Sequence, residues 1–434
     1  MSHPTPSPHP QATPVASDHE ARRDPWGTVV LLLFVAVLNY IDRLLPGVLA
    51  EPIRQDLNLS DTALGIINGF GFLLVYAVAG IAISRFADRG MFAPVIAISL
   101  GLWSLTTAIG SLAQNGWQLG ASRLGVAVGE AGSLPAAQAF IAASFSPGNR
   151  GRALSLLSLG SVLGTLLSLT GGGLMAEWIG WRMTFAAMGL LGLLFAPIVY
   201  IWMRRIPLLP VPVIPAGNRG KWTDLFRTRS AILIVIAGGL IATGGYTGSA
   251  FNAAFLMRVH GLSVADLGLQ LGLASGLAGI IGLGAAGWAA DKLSQSSPRW
   301  TIAVLAITMA MATPITLFAY LTSSSEIAII AIAAGSACTH VYLPLTIVAL
   351  YRLVPSHLRA RTSATFLFVT AMLGGAGPLI AGMISDSMAP AYGTEALRYA
   401  LMIIPMLGVI SAILYMLASR AYLLDIERTS GSAG

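Results

Sequence analysis

Residues 26–50 read WGTVVLLLFVAVLNYIDRLLPGVLA. Apart from Asp42 and Arg43 the core of this stretch is apolar, and it exceeds the roughly 20 residues that a helix needs to cross a bilayer. Similar runs recur at residues 61–84, 91–113, 117–145, 151–176, 182–203, 229–256, 265–290, 300–321, 327–354, 361–387 and 396–420. They amount to about twelve helices of spanning length. Barrel strands would alternate over about 10 residues, whereas these runs are longer and apolar all round. The whole chain of 434 residues is 55% hydrophobic and only 10% charged, against about 25% charged in an average soluble domain. With a mean hydropathy of +0.76, one soluble core is excluded. The expected fold is an all-α membrane protein of twelve transmembrane helices.

Two ionisable clusters interrupt the apolar runs: Asp42-Arg43 in the first segment, and Arg123 with Glu130 in the fourth. A charge at bilayer depth costs about 2.5–3.5 kcal/mol on insertion scales, so such groups point to a binding or proton-relay site. Arg123 and Glu130 lie two turns apart on one helix face, about 10 Å along the axis. Each therefore needs a partner from another helix. Asp42 and Arg43 are adjacent and point about 100° apart. Crossed pairs, Asp42 with Arg123 and Arg43 with Glu130, are geometrically available, but spacing alone does not choose the pairing. Burial raises a carboxylate pKa and a neighbouring guanidinium lowers it, so a carboxylate between these forces can exchange a proton near neutral pH.

The charge of +7 follows membrane topology rather than nucleic-acid affinity. With the amino terminus placed in the cytoplasm, most Lys and Arg fall in inner loops and tails, and Arg54, Arg182, Arg258 and Arg398 are those left outside. The positive-inside rule describes such a bias, and it places both termini inside. Residues 1–25 form an N-terminal tail rich in Pro, Ser and His without the apolar run of a signal peptide. An N-terminal six-helix bundle is expected over 26–203, a cytoplasmic linker over 204–228, a C-terminal bundle over 229–420 and a tail over 421–434. The linker carries Pro207, Pro210, Pro212 and Pro215, then KWTDLFRT, which suits a short amphipathic surface helix. The bundles look duplicated. Leu134-Pro135 followed by Arg150-Gly151-Arg152 matches Leu343-Pro344 followed by Arg359-Ala360-Arg361 at a constant offset.

Further polar residues mark the cavity between bundles. Asn39 and Tyr40 precede the first charged pair. Tyr246 and Asn252 lie on a polar stripe of the seventh segment with Thr243, Thr247 and Ser249, and Thr339 and His340 lie in the tenth. A polar stripe also serves ordinary helix–helix hydrogen bonding. The single Cys338 forms no intrachain disulfide, and no metal cluster can be built on it. No glycine-rich loop follows a strand, and neither H-x-x-E nor G-x-S-x-G occurs. No cofactor, metal or nucleic-acid partner is expected, and neither an enzyme nor a nucleotide-driven pump.

At this point the chain resembles the major facilitator superfamily. The loop after the eighth segment keeps the signature residues Gly287, Asp291 and Lys292, and its counterpart after the second carries Asp88 and Arg89, with Ser84 in place of the glycine. The Spinster-like branch is resembled more closely. The matching residues are Asn39-Tyr40-Ile41-Asp42-Arg43, Arg123 through Gly129-Glu130-Ala131, and Ser158-Leu159-Gly160 with Gly164. Gly180-Trp181-Arg182 and Leu397-Arg398-Tyr399-Ala400 complete the set. The resemblance implies two pseudo-symmetric six-helix bundles that alternate access to a midplane site, working as a monomer in a bacterial inner membrane. It implies proton coupling through Asp42, Arg43, Arg123 and Glu130, and gating loops built on Asp88, Arg89, Arg152, Asp291, Lys292 and Arg361. A lysolipid- or sphingolipid-like amphiphile is the implied substrate class. The alternative is an organic anion carried with protons, and a membrane enzyme or a non-transporting receptor is the remote one.

Overall fold

The computed structural model describes residues 24–87, 89–206, 226, 228–294, 297–354 and 358–431. These are helical almost throughout. In the first half, α1 (Trp26–Val48) leads into short α2 (Ala50–Leu57). The second crossing is α3 (Asp61–Gly65), a π turn (Ile66–Phe70) and α4 (Gly71–Ala87). Then come α5 (Phe92–Gly110), α6 (Gly116–Glu130), α7 (Ser133–Ser144) and the long α8 (Pro147–Met203). The second half comprises α9 (Arg229–His260), α10 (Val264–Ser294), α11 (Arg299–Leu321), α12 (Ser325–His340) and α13 (Tyr342–Tyr351). It ends with α14 (Arg359–Tyr392), α15 (Ala396–Leu401) and α16 (Ile403–Gly431). Ten apolar helical stretches are long enough to cross a membrane, and two of them, at 56 and 68 residues, are long enough to cross twice. The twelve-helix expectation holds on that basis.

Local chemistry explains the ends and breaks. Asn115, Thr228 and Ser324 accept hydrogen bonds from backbone N–H groups of the first turns of α6, α9 and α12, which satisfies donors that have no partner inside the helix. Gly261, at φ 69°, ends α9 in the left-handed region. The fourth crossing, expected as one helix, is two. Pro135 has no N–H for the carbonyl of Ala131, and the chain turns at Ala131-Gly132 between α6 and α7. Pro344 does the same to His340, and α12 gives way to α13 at Val341. The fifth and sixth segments, expected apart, are one helix broken only at Gly180, φ 77°. The last helix runs to Gly431, beyond the expected boundary at 420. Most of the linker, residues 1–23 and Asp88 lie outside the described residues.

Alternation along the chain puts Trp26, Phe145, Met203, Arg229, Arg299 and Arg359 at one end of the bundle, where both ends of the described chain lie. Three apolar clusters fill the interior. At the terminal end each half has its own. One holds Val29, Leu32, Trp103, Phe140 and Phe145, and the other holds Ile234, Ile302, Leu345, Phe366 and Tyr422. At the far end a single cluster joins Leu45, Leu49 and Ile67 of the first half to Phe251, Phe255, Leu267 and Ala381 of the second. The halves are therefore sealed together at the far end and separately packed at the terminal end. Trp117 and Trp178 stand exposed at the far end, and Trp202, Trp288 and Trp300 at the terminal end. Two tryptophan girdles of this kind suit the two interfaces of a bilayer.

Candidate functional site

Helix α1 brings Asp42 and Arg43 to the middle of the first half, and α6 presents Arg123 and Glu130 to them. Close approach of α6 to α5 needs a residue without a Cβ: a methyl group at Gly129 would lie 2.5 Å from the Trp103 backbone nitrogen. The pairing is the crossed one. Arg43 donates from Nε to Glu130 Oε2 at 2.9 Å, and its Nη2 lies 2.8 Å from the same oxygen. Arg123 donates from Nη1 to Asp42 Oδ2 at 3.3 Å, while the Thr107 hydroxyl donates to Asp42 Oδ1 at 2.6 Å. Glu130 is fully buried, Asp42 and Arg123 nearly so, and Arg43 keeps 19% of its side chain exposed. This exposure makes Arg43 the member of the set that solvent or a solute reaches.

Two buried charge pairs are not an economical way to hold a bundle together. Apolar side chains of similar volume do as well or better. Both pairs are also incompletely satisfied: Glu130 Oε1 and Arg123 Nε are buried with no hydrogen-bond partner among the described residues. Each guanidinium has an aromatic seat as well. Arg43 lies 4.7 Å from the Tyr76 ring centre and 5.6 Å from that of Tyr40, and Arg123 lies 5.1 Å from that of Phe72. Phe72 and Tyr76 stack one turn apart on α4. Such seats are worth about 0.5–2 kcal/mol each. The arrangement can therefore lose a carboxylate's charge and still hold the cation.

The other expected residues divide. Asn39 is buried beside the pair, and its Nδ2 has no partner among the described residues. It lines a narrow cleft with Tyr40, Ser133, Leu134 and Leu157. Tyr246 of α9 packs on the apolar cluster of the first half, so the second half reaches the site through it. Asn252 does not join it, because its amide oxygen accepts from the Tyr320 hydroxyl at 2.9 Å and ties α9 to α11. Thr339 donates to the Ser336 carbonyl at 2.8 Å, and His340 Nδ1 lies 2.6 Å from the same oxygen. Both side chains thus turn back on their own helix. Sequence offset aligns Thr339 with Glu130, but His340 is the residue that ends α12 as Glu130 ends α6.

At the terminal end, Arg89 lies 5.7 Å from the Phe86 ring centre and Lys292 4.9 Å from that of Trp288. Arg152 is exposed and Arg361 half-buried. Asp88, expected in a gating loop, lies outside the described residues, as does the side chain of Asp291. Spacing did not disclose Phe72, Tyr76 or Thr107. An aromatic pair one turn apart in the second crossing was the available signal.

Residues 32–321 match the model of the Major Facilitator Superfamily. An "MFS-type efflux pump" of Mycolicibacterium smegmatis is 41% identical over 422 residues, covering 96% of this chain and 98% of that protein. A "Probable L-galactonate transporter" of Escherichia coli is 25% identical over 411 residues, covering 90% and 88%. Among solved structures, a bacterial homologue of the human lysosomal transporter Spinster, in an inward-facing and unoccupied conformation, superimposes with a TM-score of 0.83 at 26% identity. That match covers 93% of this chain and 99% of the other. The shared architecture is that of transporters, not of enzymes. The chain belongs to the major facilitator superfamily and resembles its Spinster-like members.

Proposed function

We propose that the protein is a proton-coupled secondary transporter that works by alternating access. The observation that carries this reading is the pair of crossed, buried and incompletely satisfied ion pairs, Arg43–Glu130 and Arg123–Asp42. Protonation of Glu130 releases Arg43 to Tyr76 and Tyr40, or to an anionic group of the substrate. Tyr246 carries that change to the second half. The separate terminal-end cores and the joined far-end core suit a state open toward the termini. The excess of Lys and Arg in the terminal-end loops supports a cytoplasmic position for that side.

A lysolipid- or sphingolipid-like amphiphile is the proposed substrate. An anionic headgroup suits Arg43, the exposed member of the set, and Leu32, Val35, Leu134 and Leu157 would contact a chain once the narrow cleft between them widens. The second reading, a small organic anion carried with protons, draws support from the similarity to a galactonate transporter. Purified protein in liposomes, given an imposed pH gradient and a panel of lysolipids and sugar acids, tests both. Gradient-driven movement of an amphiphile supports the first and movement of a sugar acid supports the second. No movement of any solute with or without a gradient would refute transport.

A further inference from the structure

A second set of ionised residues lies outside the central site, at the far end, and it joins the two halves. Arg258, in the last turn of α9, donates from Nη1 to Asp61 Oδ2 at 2.7 Å and from Nη2 to Asp61 Oδ1 at 2.6 Å. Its Nε donates to Glu51 Oε2. Asp61 opens α3 and Glu51 lies in α2, so one guanidinium of the second half clasps two carboxylates of the first. A reciprocal clasp runs the other way. Asp386 of α14 accepts from the backbone N–H of Asp61 at 2.9 Å, the N–H of Thr62 at 2.8 Å and the Thr62 hydroxyl at 2.5 Å. Ser385 donates to Asp61 Oδ2 at 2.6 Å.

Backbone donors at the start of a helix are normally capped by a neighbouring side chain. Ser60 caps the Ala63 N–H in that way. Here the N–H groups of Asp61 and Thr62 are satisfied by a residue more than three hundred positions away, in the other bundle. Moving the halves apart at this end would therefore break the Arg258 clasp and uncap the second crossing in one step. The fit is close: a methyl group at Gly382 would lie 2.8 Å from the Thr62 Cα, and one at Gly69 would lie 2.7 Å from the Pro378 Cβ. Glu51, Asp61 and Arg258 are each at least four-fifths buried.

We infer that Arg258, Glu51, Asp61 and Asp386 form the far-end gate of the transporter, made and broken as one unit when the far end closes and opens. The inference rests on the alternating-access reading. It adds residues that position the halves rather than touch the substrate. Each half supplies both a donor and an acceptor to the unit. The gate is electrostatic at its rim and backed by the apolar cluster beneath it, which includes Ala254, one turn below Arg258.

The test is thiol accessibility, which needs no known substrate. In a Cys338→Ser background, Ala254→Cys reports on the far-end path. Arg258→Gln and Asp386→Asn should each raise its labelling by a membrane-impermeant maleimide about tenfold or more, with Arg258→Lys in between. Ala231→Cys, in the separate core of the second half, should stay unlabelled in the same variants. An equal rise at both positions would mean general loosening and would overturn the inference, as would no rise at Ala254→Cys. A second arm uses Thr62→Cys with Asp386→Cys. Bridging these thiols should stop transport, and reduction should return it to the rate of the Thr62→Cys and Asp386→Cys single variants. Undiminished transport by the bridged protein overturns the gate but leaves alternating access standing, whereas absence of transport from the unbridged parent, with Ala254→Cys equally closed in all variants, refutes both.

Discussion

Arg43 spends two of its nitrogens on a single oxygen of Glu130, at 2.9 and 2.8 Å, and the other carboxylate oxygen is left buried without a partner among the described residues. On the proton-coupled reading, the unused oxygen is where a proton would bind, next to a cation that has rings to fall back on. That asymmetry sets the first expectations for mutants.

Glu130→Gln keeps the shape and one acceptor oxygen but removes the proton site. Uptake or efflux driven by a pH gradient should be lost, by about a hundredfold or more if the carboxylate is the coupling group. Exchange of labelled for unlabelled solute across the membrane should persist, since it needs no net proton movement. Asp42→Asn should behave alike. Parallel measurement of driven transport and exchange in liposomes checks this, and unchanged pH dependence in both variants would refute the coupling role.

Tyr76→Leu removes the ring 4.7 Å from the Arg43 guanidinium, and the loss should be about 0.5–2 kcal/mol. Tyr76→Phe should restore most of it, because the ring face matters and the hydroxyl does not. The comparison is read in denaturant or thermal unfolding of the purified protein, and again as a shift in the pH midpoint of transport. Equal effects of Leu and Phe would show that the hydroxyl, not the ring, holds the cation.

Gly129→Ala should force α6 away from α5, since its methyl would meet the Trp103 backbone. Overpacking of this kind costs about 1–3 kcal/mol. Because Glu130 is the next residue, transport should fall more than folded yield. Size-exclusion yield set against transport rate measures the split.

The Glu51 arm of the far-end gate should be indifferent to mild acid. Burial alone would raise the Glu51 carboxyl, but Arg54 and Arg258 hold it down at about 2, against an ordinary 4.5. A depressed carboxylate contributes stability that is complete above its unfolded value and is lost as pH falls through the folded one. The contribution of Glu51 to closure should therefore be constant across the range above about pH 4.5 and weaken only toward pH 2. Labelling of Ala254→Cys at several pH values, normalised to an exposed cysteine, checks this. A rise between pH 7 and 5 would contradict it.

Much of this was legible in the residues. Hydropathy gave the crossings, and four stranded charges announced their own meeting, because a buried Arg without an acid is intolerable and only two acids stood at that depth. The breaks after Glu130 and His340 are written in Pro135 and Pro344. What was hidden depends on three-dimensional register. Thr107 and Asp42, or Asp386 and Thr62, lie far apart in sequence, and no local spacing announces such partners. Asn252 illustrates the converse: a polar residue on a promising stripe is satisfied by Tyr320, as hydrogen bonding between crossings in a membrane leads one to expect.

The joined apolar cluster at one end also weights the cycle. A swing that opens that end must strip a dry seam and close another of comparable worth, or the molecule would stall in one posture. Each methylene pared from Leu45 or Leu267 subtracts about 0.8 kcal/mol from the present posture, which is about a fourfold tilt toward the opposite one. Residues with no polar atom, and no contact with cargo or proton, thus help to decide how long the protein waits facing each side.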